Sequence, residues 1–476
     1  MGLRDLLILG IIFGSLPFIL YRPWLGILIW YWIGLMNPHR LTWGIAATFP
    51  VAQVVGLAAL FGLVIAKDRK TIPLTRETML LAWFAIHITI TSYFAWHPTA
   101  WDQWDRVMKI LLMTFVTPML IYGRQRITWL VIVIVLSIGF YGLKGGIFSI
   151  LGGGMSHVLG PPRTFIGGNT NLGMALIMVL PLMLVLARAL KEKRLGIPAL
   201  EPWSTRLSYL FYATFWLTIV SIVFTYSRGA WVSLAVVAPL IFLKMRYKPL
   251  LVIAGLLLSG SIIAFIPDQL INRAETIQTY EEDYSAMQRI QAWGVNWNMA
   301  VERPLVGTGF NNAGLPHELW LSYANWVEPW ANTPRAAHSI FFQVIGHHGF
   351  LGAGIYFTML LCVVMTLIRI YRQANSHPST LWMCDIAWAL LVGLVGFFTA
   401  GAFLDMAYFT MIYVFLALAI IMGRELDESA AHVIDQSSHE SPIQSSRPSS
   451  LAYPNFVATR RQRISDRNKS RSTHDT

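Results

Sequence analysis

The chain has 476 residues, of which 55% are hydrophobic and only 13% are charged. Soluble domains carry about a quarter charged residues, so this composition excludes an ordinary soluble protein. Apolar runs of about 20 residues recur along the chain, which is the length needed to cross a bilayer core of about 30 Å. The net charge of +12 does not indicate nucleic-acid binding, because the basic residues lie between the apolar runs and in the tail.

In chain order, the apolar runs predict an all-α polytopic membrane protein with about twelve spans, forming one domain over residues 1–424. The first run follows Arg4 and has no small-residue cleavage site after it, so it predicts a retained helix and not a signal peptide. Tyr21-Arg22-Pro23 interrupts this run, which leaves open one kinked helix or a broken pair. The predicted spans lie near residues 6–36, 45–66, 78–95, 108–122, 127–150, 171–187, 207–226, 229–243, 249–266, 339–368, 381–398 and 406–423.

Short connections rich in Lys and Arg mark the cytoplasmic side of a membrane protein. Five connections qualify, and an even number of predicted spans separates each from the next, so all five can lie in the cytoplasm. We predict that residues 6–36 cross only once, so that both termini lie in the cytoplasm. The five connections contain Lys67/Arg69/Lys70/Arg76, Arg124/Arg126, Arg188/Lys191/Lys193/Arg194/Arg206, Lys244/Arg246/Lys248 and Arg369/Arg372.

The remaining connections then face the periplasm and carry the unusual polar residues of the chain. The longest is one large periplasmic loop over residues 268–337, which His338 closes. Four outer connections could therefore assemble a site on this side of the bundle. The polar residues gathered there include Arg163, Asn169, Asn171, Arg228 and Asp405.

The composition changes abruptly after the last predicted span. Residues 425–476 are Ser-rich and then strongly basic. Such a segment buries too little apolar surface to fold, so it is predicted to be a disordered cytoplasmic tail. Its basic end is suited to anionic membrane lipid.

His338 is the candidate catalytic residue, because it stands at the outer mouth of a long apolar helix. An imidazole with a pKa near neutrality is the usual general base, although a histidine at the membrane interface is also simply well solvated there. His347 and His348 lie deeper in the same helix and face different directions. They are interpreted as packing or interior polar groups.

Arg228 and Arg289 are the candidate phosphate-binding residues. Arg228 lies in the short outer turn Ser227-Arg228-Gly229, against the usual bias of positive charge toward the cytoplasm. A guanidinium offers a planar fork of donors that matches phosphate oxygens. Arg289 lies on a predicted amphipathic helix whose tryptophans, Trp293 and Trp297, are interpreted as membrane anchors.

The sequence contains no pattern for a metal or nucleotide site. Cys362 and Cys384 both fall in predicted spans, and no Cys/His spacing or carboxylate cluster predicts a metal ligand set. The glycine pair Gly307 and Gly309 predicts a turn, because it lacks the lysine of a phosphate-binding loop. No cofactor is expected. Charge on a leaving phosphate would have to be stabilised by arginines.

Together these features resemble the O-antigen ligase/polymerase superfamily. The residues that carry the resemblance are "SRGAW" before the large loop, "RPLVGTG" within it and "AHSIFFQVIGHHGFLG" after it. Many members have Asn after the loop-closing histidine, where this chain has Ser339. The amino-terminal half also looks similar to exosortase-associated relatives.

The resemblance implies a membrane glycosyltransferase of GT-C-like architecture in the bacterial inner membrane, with its active site facing the periplasm. It implies transfer of a glycan from undecaprenyl pyrophosphate to a lipid A-core acceptor, with inversion and without a metal. His338 would be the general base, and Arg228, Arg289 and Arg163 would hold the pyrophosphate. Expected partners are this donor, this acceptor and membrane lipids, but no nucleic acid.

Two alternatives remain open at this point. An O-antigen polymerase or a protein O-oligosaccharyltransferase of the same superfamily would use the same donor with another acceptor. A transporter or flippase for a lipid-linked sugar belongs to a different class. It should expose charge along a central path from both faces, whereas the predicted spans here are nearly uncharged.

Overall fold

The structure is a computed structural model that describes residues 2–67, 71–245, 284–376 and 379–439. Within those ranges the regular secondary structure consists of α-helices and short 3-10 helices, which form an all-α bundle, and no strand occurs there. The predicted span at 249–266, the beginning of the large loop at 268–283 and the end of the tail at 440–476 lie outside the described residues. The fold is that of an integral membrane protein.

Fourteen α-helices are present in the described residues. They are α1 (Leu3–Tyr21), α2 (Pro23–Met36), α3 (Val51–Ile65), α4 (Arg76–Tyr93), α5 (Ala100–Leu120), α6 (Gly123–Leu151), α7 (Asn169–Lys191), α8 (Ser204–Val223), α9 (Arg228–Lys244), α10 (Tyr284–Glu302), α11 (His317–Leu321), α12 (Ile340–Gln373), α13 (Leu381–Gly401) and α14 (Thr410–His439).

Six helical segments of the described chain are both long and apolar enough to cross a membrane. Each predicted span within the described ranges overlaps a helix. Because only six segments of the described chain are long and apolar enough, the expected number of about twelve spans is not confirmed. The six are α1, α6, α7, α12 and α13, together with the segment Pro198–Val223 that contains α8.

Residues 6–36 form two antiparallel helices, so the prediction that they cross only once is wrong. Arg22 has non-helical backbone angles, and Pro23, which has no N–H to donate, begins α2. Asp5, near the start of α1, accepts a hydrogen bond from the Ala46 N–H at 3.1 Å, beyond the end of α2. The two helices therefore form a hairpin.

The predicted basic connections lie at one end of the bundle, here called the basic end. Their side chains contact one another across the chain. Arg188 donates to the Lys244 carbonyl at 2.8 Å, and Arg424 donates to the Pro118 carbonyl at 2.8 Å. Arg369 forms an ion pair with Asp427 at 3.2 Å. Helices that begin here end at the opposite end of the bundle.

That opposite end, here called the site end, also holds the start of α1. The hairpin brings Asp5 beside Ala46, and the nearby end of α2 borders a groove shared with Arg163. Arg424 lies at the basic end. The prediction that both termini lie on the same side is therefore not supported, because it depended on a single crossing of residues 6–36.

The last helix extends further than the sequence predicts. α14 continues to His439, so the first fifteen residues of the predicted disordered tail are helical. Leu426 is buried, which stabilises the first turn of this extension, and Asp427 forms an exposed ion pair with Arg369. By internal contacts, one compact unit ends at Glu428 and a second begins at Ser429.

α12 is broken at Gly349, where the backbone has a φ of 68° and a ψ of −176°. The loop residues before it pair with the break: Thr308 N–H donates to the Gly346 carbonyl at 3.0 Å, and Leu351 N–H donates to the Pro304 carbonyl at 3.3 Å. A Cβ at Gly349 would lie 2.5 Å from the Pro304 oxygen. The break therefore requires glycine and fixes the large loop on α12.

Candidate active site

His338 and Asp405 lie within hydrogen-bond distance of each other at the site end. His338 Nδ1 lies 3.2 Å from Asp405 Oδ2, and their side chains are 43% and 23% exposed. His338 precedes the N-cap residue of α12, and Asp405 lies in the connection between α13 and α14. An ionised Asp405 selects the imidazole tautomer that carries its proton on Nδ1, which leaves the Nε2 lone pair for a substrate.

The pKa values of this pair are shifted in opposite directions. Burial lowers the pKa of His338, and the positive charges of Arg289 and Arg335 lower it further. Burial raises the pKa of Asp405 to about 7, although hydrogen bonds from the backbone of His338 and Ser339 act against this rise. Both shifts favour a neutral His338, which is the form that accepts a proton.

The backbone of His338 is strained. Its φ of 46° lies in the left-handed region, which is uncommon for a residue other than glycine. Such a conformation costs on the order of 1–3 kcal/mol and tends to occur at functional sites. The strain aims the imidazole at Asp405, while the next residue, Ser339, already enters the cap of α12.

Arg228 and Arg289 line one cleft, as their predicted common role requires. The cleft has a volume of about 190 Å³. Arg289 also acts electrostatically on both His338 and Asp405. The structure therefore brings three of the four predicted site residues together. The cleft is lined by Thr170, Ser227, Arg228, Gly229, Ser285, Ala286, Arg289 and Phe403.

Two helix N-termini meet at this cleft. Thr170 is the second residue of α7, and Arg228 is the first residue of α9. Ser227 caps α9 by accepting the Ala230 N–H at 3.2 Å. A helix N-terminus carries about half a positive charge and unpaired N–H groups. Two guanidiniums and two such termini make the cleft suited to an anion with several charges.

The tryptophans of α10 hold Arg289 in place. Trp293 stacks on Phe342 of α12 with ring centroids 5.3 Å apart, and its indole N–H donates to the Ala337 carbonyl at 2.8 Å. Trp297 contacts Phe350 of α12 edge to face. Both rings therefore pack on α12, and the Trp293 hydrogen bond joins α10 to the residue directly before His338, while Trp297 remains 46% exposed. The interpretation of these tryptophans as membrane anchors stays a prediction.

Arg163, the fourth predicted site residue, does not line this cleft. It borders a separate groove with Arg40 and Arg106, and its φ of 60° is also in the left-handed region. Its predicted role in holding the same pyrophosphate as Arg228 is therefore not supported by the geometry. The sequence predicts that four outer connections converge at this end, but it does not indicate which of them share one cleft.

His347 and His348 have different hydrogen-bond partners, although both rings pack on Phe310 and Tyr408. His347 Nδ1 lies 3.1 Å from the hydroxyl of Tyr408, in the connection that carries Asp405. His348 is fully buried, and its Nδ1 lies 2.7 Å from the Thr91 hydroxyl. They fix α12 against its neighbours.

Asp405 is the site residue whose role the sequence analysis did not assign. The only signal was an acidic residue in a short outer connection between two spans. In the part of the chain that the structure describes, no group of three or more His, Cys, Asp or Glu side chains is arranged to hold a metal ion.

Comparison with known families divides the chain into two matched regions. Residues 213–357 match the family described as O-Antigen ligase, and residues 3–191 match a family of unknown function (DUF5935). Arg228, Arg289 and His338 lie in the first region, whereas Asp405 lies in neither. No curated protein sequence matches the chain.

Proposed function

Because residues 213–357 make the chain a member of the O-antigen ligase superfamily, we propose that it transfers an O-antigen glycan from undecaprenyl pyrophosphate to a lipid A-core acceptor. The observation that carries this proposal is the cleft in which Arg228, Arg289 and two helix N-termini converge beside the His338–Asp405 pair. A diphosphate leaving group fits such a site because it carries several negative charges.

The proposed reaction is an inverting displacement that needs no metal ion. The acceptor hydroxyl gives its proton to His338 Nε2 while its oxygen forms a bond to the anomeric carbon of the donor. The bond between that carbon and the diphosphate oxygen breaks on the opposite face of the sugar. Arg228 and Arg289 stabilise the charge on the departing diphosphate, and ionised Asp405 stabilises the imidazolium that forms.

The proposed orientation places the site end in the periplasm of a bacterial inner membrane. The basic end carries the Lys- and Arg-rich connections, and these mark the cytoplasmic side. With this orientation α14 ends in the cytoplasm, and the start of α1 faces the periplasm. A cysteine introduced in place of Ser322, an exposed residue of the large loop, should react with a membrane-impermeant maleimide from the periplasm. Labelling only after lysis would reverse the orientation.

The test of function uses the purified full-length protein with undecaprenyl-pyrophosphate-linked glycan, rough lipopolysaccharide and EDTA. A ladder on lipopolysaccharide in the presence of EDTA is the expected result. Extension of the donor glycan alone, or transfer only to an added Ser-rich protein, would show that the acceptor is the growing glycan or a protein. Either result would overturn the proposed ligation to the lipid A-core. Donor binding without any transfer would favour a transporter.

Arg228→Lys tests the proposed diphosphate contact. Lysine keeps the positive charge but loses the planar pair of donors, so we expect a loss of about tenfold or more in the transfer rate. Arg206→Lys is the matched control, because Arg206 contacts Trp203 at the start of α8 and lies outside the cleft. An Arg228→Lys rate equal to that of the wild type would show that this residue serves only as an interfacial anchor.

A further inference from the structure

A second cavity at the site end is larger than the arginine cleft and has a different character. It has a volume of about 510 Å³ and is bordered by α2, α3 and α5. Its walls are mostly apolar, whereas its mouth is cationic. The apolar lining side chains are Trp30, Ile33, Leu57, Leu60, Ile110, Leu112 and Met113. We call this cavity the lipid groove.

Four basic residues surround the mouth of the lipid groove. Arg40 follows α2, Arg106 and Lys109 lie on α5, and Arg163 lies in the connection before α7. Lys109 is paired with Asp105 at 2.5 Å, but within the described ranges no carboxylate lies within ion-pair distance of Arg40, Arg106 or Arg163. Three guanidiniums from separate elements thus border one opening, and no carboxylate of the described residues compensates their charge.

The backbone at Arg163 adds an independent sign of function. Its φ of 60° costs free energy that a glycine would avoid. The segment that contains Arg163 also packs on the connection that carries Asp405. Asn171 donates to the Phe165 carbonyl at 2.9 Å, and the Phe165 and Phe409 rings lie 6.0 Å apart.

The segment from Phe403 to Thr410 contributes to both cavities. Phe403 borders the arginine cleft, and Thr410 borders the lipid groove. Asp405, paired with His338, lies between these two residues in the chain. One short segment therefore carries a wall residue of each cavity together with the partner of His338.

We propose that the lipid groove binds the acceptor, and that this acceptor is a glycolipid bearing more than one phosphate. Its acyl chains lie along the apolar wall, and its phosphates contact Arg40, Arg106 and Arg163. The spread of these guanidiniums over three elements fits separate phosphates better than one diphosphate, for which the cleft already provides Arg228 and Arg289. A water-soluble acceptor has no use for the apolar wall. This inference rests on the proposed function, because the groove can hold an acceptor only if the protein transfers a glycan.

The first test measures transfer with the double variant Arg40→Gln/Arg106→Gln in the full-length protein. The KM for rough lipopolysaccharide is expected to rise about tenfold or more, because two charge-assisted contacts are lost. The kcat and the KM for the lipid-linked donor should stay within about twofold. Arg4→Gln is the matched control, since Arg4 lies at the same end over the Trp43 ring and outside the groove.

A raised KM for the donor with an unchanged KM for lipopolysaccharide would assign the groove to the donor and overturn the inference, while the proposed transfer would stand. Equal constants for the double variant and the wild type would overturn it too.

The second test measures binding alone, with bis-phosphorylated lipid A and its dephosphorylated form in detergent micelles, in the absence of donor. Wild-type protein should bind the phosphorylated form about tenfold or more tightly, and Arg40→Gln/Arg106→Gln should lose this preference. The same affinity for both forms would overturn the phosphate contacts. Phosphate-dependent binding by a protein that transfers no glycan would support the lipid site and overturn the proposed function.

Discussion

The two ends of the bundle use the same residue type in different ways. At the basic end, arginines bond to the carbonyls that helices leave unpaired at their C-termini, as Arg188 does with Lys244 and Arg424 with Pro118. At the site end, Arg106 and Arg163 have no carboxylate partner in the described chain. Arg303 does cap α4 at the site end by donating to the Phe94 carbonyl at 3.0 Å, but Arg106 and Arg163 differ from the arginines of the basic end in facing an open groove.

Backbone strain follows the same division. Six described residues other than glycine have a positive φ, and five of them lie at the site end. Only Lys193 belongs to the basic end. Strained backbone persists where the surrounding structure holds it, and it tends to mark functional sites. The five at the site end are Asn37, Arg163, Tyr226, Asn311 and His338.

His338→Ala is the strongest test of this difference. A general base contributes on the order of 10²–10⁴-fold, so the transfer rate should fall by at least about a hundredfold. Binding of the lipid-linked donor should be largely retained. His317→Ala in the same loop is the matched control, because His317 is exposed and lies outside the site. Retention of more than a few per cent of the wild-type rate would remove His338 from the proposed chemistry.

Asp405→Asn tests whether the His338 imidazolium needs its carboxylate. Loss of a charged hydrogen bond should slow transfer by about tenfold to a hundredfold. Burial raises the pKa of Asp405 to about 7, so the wild-type rate should fall as the pH drops through about 7 and Asp405 becomes protonated. Burial and Arg289 lower the pKa of His338, so its own protonation follows only at lower pH.

In Asp405→Asn the loss of rate near pH 7 should therefore disappear, leaving only the step at lower pH. Measurement of kcat against pH for both proteins checks this. An identical acidic limb in the two profiles would show that Asp405 does not titrate in the reaction.

Gly349→Ala tests whether the break in α12 fixes the large loop of the site end on this helix, which continues to the basic end. A Cβ would lie 2.5 Å from the Pro304 oxygen, and the φ of 68° with a ψ of −176° is accessible essentially to glycine alone. The substitution should cost about 1–3 kcal/mol of stability, measured as an earlier thermal unfolding of the detergent-solubilised protein.

Gly354→Ala in the same helix is its control, because no heavy atom lies within 4 Å of the added Cβ. Alanine is favoured over glycine in a helix, so this variant should be as stable as the wild type or slightly more stable. Equal losses in both variants would show that the break at Gly349 has no special role.

Much of the fold was predictable because hydrophobic length and Lys/Arg placement are local signals. They predicted the helices and the common end of the basic connections. They failed at residues 6–36, where the apolar run is continuous in composition and only Arg22 and Pro23 indicate the turn. These signals failed again after residue 425, where Leu426 is buried and α14 continues to His439.

The site was predictable residue by residue but not in its grouping. His338, Arg228 and Arg289 stood out because charged groups are costly in so apolar a chain. The pairing of His338 with Asp405 joins residues 67 positions apart in sequence, and the separation of Arg163 from the cleft depends on how the 402–409 connection packs. Such long-range placement has no periodic signature.

Asp427→Asn is expected to have the smallest effect and addresses the basic end directly. Asp427 pairs with Arg369 at 3.2 Å, and the two side chains are 61% and 42% exposed. Ion pairs this exposed contribute little, because water and salt screen them and two long side chains must be ordered. Transfer rate and unfolding temperature should therefore match the wild type, with the rate unchanged within about twofold. A loss comparable to that of Asp405→Asn would mean that the charges of the basic end also serve the reaction, and the functional division between the two ends would fail.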